Sequence, residues 1–70
     1  MTAKEIDVYN YIVFFKTVNG YSPTIREIAD GVNTKSIPHI YSCLEHLSDK
    51  GILRYNSKKP RTIVILKPLN

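Results

Sequence analysis

Three residues of this 70-residue sequence carry metal-ligand chemistry at helical spacing: His39, Cys43 and His46, at i, i+4 and i+7. Imidazole nitrogen and thiolate sulfur both bind zinc, but a structural zinc site normally takes four protein donors, and no fourth is evident. Cys43 also falls at the margin of an apolar stripe, where a thiol behaves as a small hydrophobe. No metal is expected. Catalysis finds no better footing. A glycine-rich phosphate loop, a nucleophile elbow and a carboxylate pair set apart from helix surfaces are all missing. A chain this short is also too small to enclose a substrate pocket, so neither an enzyme nor a cofactor is expected.

The remaining chemistry is ionic. The formal net charge is +4, and from Lys50 onward Lys50, Arg54, Lys58, Lys59, Arg61 and Lys67 occur without one acidic residue. A basic segment with no acidic partners points to a polyanion, most often a phosphate backbone; the bland counterpart is a solubilising surface. The 43% hydrophobic and 23% charged composition places the chain outside the disordered range and supports one modest core. A lone cysteine makes no internal disulfide, which fits a reducing cytoplasm. The opening MTAKEIDVYN lacks the apolar core of a secretory signal. No stretch approaches the roughly 18 apolar residues of a membrane span.

Stepwise helical and strand signals supply the frame for these groups. Thr2 and Glu5 have capping-box spacing, and Val8, Tyr9, Ile12 and Phe15 form a stripe, so a first helix should run over about 3–18 and stop at Asn19-Gly20. Phe14 lies off that stripe, and its exposure would mark a candidate protein contact on the first helix. Tyr21-Ser22-Pro23 reads as an extended connector. Thr24 and Glu27 form a second capping box, opening a short helix that Gly31 closes. After a turn at Asn33–Ser36, a third helix should run over about 37–50, with Pro38 in its first turn and Ile37, Ile40, Leu44 and Leu47 on one face. Short helix, four-residue turn, longer helix is helix-turn-helix organisation. Ile52–Tyr55 and Thr62–Leu66 then read as two strands joined by a polar turn. The fold class is α+β, mainly α: a three-helix winged helix-turn-helix with a C-terminal two-stranded hairpin wing, one domain over 1–70.

Three segments carry a family resemblance. Gly20 and the run Tyr21-Ser22-Pro23-Thr24-Ile25-Arg26-Glu27-Ile28-Ala29 resemble the G-Y-x-P-[ST]-x-R-E-I-A segment of LexA repressors. Leu44-x-x-Leu47-x-x-Lys50-Gly51-Ile52-Leu53 is similar to the pattern ending their recognition helix, and Lys59-Pro60-Arg61-Thr62-Ile63 to their wing segment. The three fall in order across about residues 2 to 66. The resemblance implies the DNA-reading domain of a bacterial or phage-encoded cytoplasmic transcriptional regulator, a repressor, that binds double-stranded DNA. LexA-type repressors continue into a self-cleaving, dimerising domain with a serine–lysine pair; the resemblance does not reach it, and self-cleavage is not carried over.

By position, the resemblance assigns base or near-base contacts to Ser36, His39, Tyr41 and Ser42, with Glu45 farther along the third helix. Serine can donate or accept, His39 can donate to a guanine acceptor, and Glu45 can accept from cytosine N4. Arginine and asparagine, the usual bidentate readers, are absent from this helix, so about 1 kcal/mol or less is expected per contact. Phosphate contacts are expected from Thr24 and Arg26, Lys35 in the turn, and Lys58, Lys59 and Arg61 in the wing. Four to six of these would give a log–log salt slope of about −4 to −5. Arg26 has a competing surface partner in Asp30. One such domain reads a half-site, so a homodimer on DNA is expected. The rival, from another class, is a winged-helix module that binds a regulatory protein. The apolar excess of the first helix, with Glu45 and Asp49 on the DNA-reading face, favours that rival; the basic wing, Lys35 and Arg26 oppose it.

Overall fold

The computed structural model describes residues 1–69. Its elements are α1 (Ala3–Asn19), α2 (Ile25–Gly31), α3 (Ile37–Asp49), β1 (Leu53–Arg54) and β2 (Val64–Ile65). Each helix begins at a local side-chain cap. In α1, the Thr2 hydroxyl accepts from the Glu5 N–H at 3.2 Å, and Gly20 closes the helix at φ +80°, its N–H donating to the Lys16 carbonyl. The returning half of the expected Thr2–Glu5 box is not made. Glu5 is instead buried, at 4% exposure, and its carboxylate takes His46 Nδ1 at 2.7 Å and faces Lys50 Nζ at 3.6 Å, both at the α3 end. Side chains able to carry charge outcompete a single backbone N–H for a carboxylate. Of the α1 stripe, Val8 and Ile12 are fully buried and Tyr9 packs against the core, while Phe15 lies edge-on to Tyr21 at 5.7 Å.

The seven-residue α2 is too short to hold by itself and depends on packing. Its capping box is complete: Glu27 N–H donates to the Thr24 hydroxyl at 3.1 Å, and Thr24 N–H donates to Glu27 Oε1 at 2.8 Å. Gly31 is the last helical residue rather than the stop beyond it; Val32 occupies the C-cap. The glycine answers a packing need. A Cβ on Gly31 would stand 2.2 Å from Cε1 of Tyr11, so the missing side chain lets α1 lay that ring across the end of α2.

Ser36 caps α3, its oxygen accepting from His39 N–H at 3.3 Å, and Pro38 occupies the first turn. One face of α3 buries Ile40, Cys43, Leu44 and Leu47 against Val8 and Ile12 of α1, Ile28 and Ala29 of α2, and Ile52, Leu53 and Ile63 of the hairpin. The hairpin pairs antiparallel, Leu53 with Ile65 and Arg54 with Val64. Each strand has two residues where four or five were expected. The ladder ends early because Ile63 turns its backbone elsewhere: its N–H donates to Ser22 Oγ at 3.2 Å, and its carbonyl accepts from Lys16 Nζ at 3.1 Å. Beyond the ladder, Thr62 organises the wing turn. Its hydroxyl accepts from Asn56 N–H at 2.9 Å and lies 3.1 and 3.2 Å from the Asn56 and Lys59 carbonyls, one of which takes its proton.

Candidate nucleic-acid interface

The apolar face of α3 is buried, so its polar residues face outward or to either flank. Ser36, His39, Ser42 and Glu45 are exposed; Tyr41 is half-buried. Tyr41 forms part of an open cleft of about 330 Å³ between the start of α2, α3 and the wing. That cleft gathers Thr24, Arg26, Lys58, Lys59 and Arg61. Lys35 is exposed in the turn before α3 and does not line it. Among the described residues Arg26 makes no ion pair with Asp30, and its side chain is exposed.

Several of the expected DNA-facing groups already hold partners, Ser36 and Glu45 on α3 among them. The Ser36 oxygen is occupied as the α3 cap, leaving its O–H proton to donate. Glu45 Oε1 accepts from the Tyr55 hydroxyl at 2.7 Å. Burial, followed by that bond to Glu45, pushes the Tyr55 phenol up to about 12, so it stays a neutral donor. The sequence marks Tyr55 only as a strand residue. Its link to Glu45 crosses from helix to hairpin, and no local spacing signals it.

Arg61 differs from its lysine neighbours. Its backbone is left-handed, at φ +56°. Its guanidinium forks onto Glu27, Nη1 to Oε1 at 2.9 Å and Nη2 to Oε2 at 3.2 Å. Nη1 also donates to the Ser22 carbonyl at 3.1 Å, and Cζ sits 4.7 Å from the Tyr21 ring centroid. The Thr24 N–H and then Arg61 hold the Glu27 carboxyl below its ordinary value. Lys58 and Lys59 are exposed, and among the described residues neither side chain makes an ion pair.

The His39, Cys43 and His46 side chains do not converge. Cys43 Sγ lies 3.9 Å from His39 Nε2, while His46 turns to Glu5. Burial raises the Cys43 thiol above its ordinary value, which disfavours the thiolate a metal would need. No cluster of three or more His, Cys, Asp or Glu side chains able to hold a metal occurs among the described residues. The Glu5–His46–Lys50 group ties α1 to the far end of α3. The hydrogen bond from His46, helped by the Lys50 charge, outweighs burial and keeps the Glu5 carboxyl below its ordinary value. On the outer side of α1, Phe14 and Val18 are 60% and 64% exposed, the exposure expected of Phe14. No helix among the described residues is long and apolar enough to cross a membrane.

Three helices, the second and third joined by a short turn, and a hairpin closing a basic cleft against α2 define a winged helix-turn-helix domain. The chain belongs to the LexA DNA binding domain family, which it matches over residues 1–62. It is similar to the LexA repressor of Clostridium novyi, 42% identical over 64 residues covering 91% of this chain and 31% of that repressor. The LexA repressor of Staphylococcus aureus is 35% identical over 66 residues, 94% of this chain and 32% of that protein. That of Koribacter versatilis is 29% identical over 68 residues, 97% and 32% respectively. The chain spans about a third of the length of the curated relatives it matches.

Proposed function

We propose that this chain is a single DNA-binding domain over 1–70 that recognises double-stranded DNA as a transcriptional regulator, acting as a repressor in the cytoplasm. The N-terminal half of α3 enters the major groove, where Ser36, His39 and Ser42 meet base edges with Tyr41 at the flank and Glu45 one turn farther on. Thr24, Arg26, Lys35, Lys58 and Lys59 hold the phosphates on either side and set the register without reading sequence. The observation that carries this reading is the convergence of Thr24, Arg26, Lys58 and Lys59 on one cleft beside α3, from segments more than 30 residues apart. Dispersed solubilising charge has no reason to gather there.

Of the proposed phosphate ligands, the cations Arg26, Lys35, Lys58 and Lys59 have no acidic partner among the described residues, which gives a log–log salt slope of about −3.6 for each bound domain. Two copies on a two-fold site double it. Retention on duplex DNA across a salt series tests the electrostatic half, and selection of bound sequences from a random duplex pool tests the reading half. A selected motif with paired half-sites is the expected result. The exposed Phe14 and Val18 favour a second reading, a module that binds a regulatory protein. No retention at low ionic strength, or retention indifferent to salt, would overturn the DNA reading.

A further inference from the structure

The wing tip that carries Lys58 and Lys59 is a polar turn outside the two-residue ladder, so what fixes its direction must lie elsewhere. Its far leg is seated on the connector between α1 and α2. Arg61 stacks over Tyr21, donates to the Ser22 carbonyl and forks onto both oxygens of Glu27, and Ile63 N–H donates to the Ser22 hydroxyl two residues on. Arg61 also holds a left-handed backbone, which a non-glycine residue keeps only when its surroundings over-determine it. A planar fork engaging two carboxylate oxygens is a geometric device that a lysine cannot reproduce. The Glu27 charge cancels that of Arg61, so the guanidinium has little net charge with which to displace counterions from DNA.

We propose that Arg61 is a positioning residue, a strut that aims Lys58 and Lys59 into the cleft, and not one of the phosphate ligands. The inference rests on the DNA-binding reading above. Without the strut the wing turn keeps its Thr62 bonds and the Ile63 anchor but loses its tie to Glu27 and Tyr21, so the lysines are no longer aimed and both contacts are lost together. With it, removing the lysines alone has the same electrostatic effect.

The salt slope of binding to a short duplex of arbitrary sequence separates the two roles. The chain is compared with K58A/K59A, R61A and the triple variant. K58A/K59A should lower the slope by about 1.8, two contacts at 0.9 each. As a strut, Arg61→Ala alone lowers it by about the same 1.8, and the triple variant falls no further. As an independent phosphate ligand, Arg61→Ala lowers it by about 0.9 and the triple variant by about 2.7, the additive result for uncoupled sites. Additivity, or an R61A slope equal to wild type, overturns the inference alone. Wild-type protein that fails to bind the duplex overturns the DNA reading and this inference with it. If R61A loses its helical circular dichroism, R61K replaces it. Lysine keeps a point charge, so a phosphate ligand keeps its slope, whereas a strut loses the fork and the slope still falls.

Discussion

Replacing Gly31 by alanine sets two opposed effects against each other, and the structure indicates which wins. Alanine is favoured over glycine in a helix by up to about 1 kcal/mol. At Gly31, however, the new Cβ would lie 2.2, 2.3 and 2.6 Å from Cε1, Cζ and Cδ1 of Tyr11. Carbon atoms prefer at least about 3.5 Å, so the ring must retreat by roughly 1.3 Å. Phe14 and Phe15 flank it, their ring centroids each 6.1 Å from its own, and restrict where it can go. Overpacking of this kind costs about 1–3 kcal/mol, so Gly31→Ala should be destabilising by about 1 kcal/mol net. In a domain this small that lowers the thermal midpoint by about 4–8 °C, readable by circular dichroism. Tyr11→Ala removes the obstacle, so in that background the same Gly31→Ala change should become stabilising, by up to about 1 kcal/mol. A G31A protein more stable than wild type, or the same loss in both backgrounds, would refute the packing account.

The Glu5 carboxyl is held below its ordinary 4.5 in the folded chain, so its contribution is fully present above that value and lost as pH falls through the lower folded one. Urea midpoints should therefore drop below about pH 4.5, and Glu5→Gln should flatten that drop; an unchanged acid limb would contradict the role given to His46 and Lys50. Ser36 combines a cap with a proposed base contact. Ser36→Ala should cost about 1 kcal/mol of stability, and Ser36→Gly only a few tenths. Sequence selection with the glycine variant then isolates the base contact, which should show as a blurred preference near the start of each half-site.

Interactions closed within one turn of helix were legible in the sequence. Thr24 and Glu27 sit three residues apart and form their box as the spacing requires. The identical spacing at Thr2 and Glu5 formed only half a box, because Glu5 found His46 forty-one residues away. Composition likewise sees Lys58, Lys59 and Arg61 as three equal charges. Only the fold gives Arg61 an acidic partner thirty-four residues upstream and, among the described residues, leaves the two lysines without one. Strand lengths were overdrawn for a related reason: the β-branched run at 62–66 has strand character, but at Ile63 the connector took the backbone N–H. Gly31 was visible as a helix-ending signal while its cause, the ring of Tyr11, was not.

The seat that Tyr21, Ser22 and Glu27 offer to Arg61 and Ile63 makes two distant stretches of chain a single exchangeable part. A chimera that imports a foreign hairpin onto these three helices would arrive with a wing cut for another connector. Exchanging residues 21–27 and 56–63 as a matched set keeps the joint intact. The boundary for grafting DNA-reading domains of this kind therefore follows contact across the cleft and not contiguity along the chain.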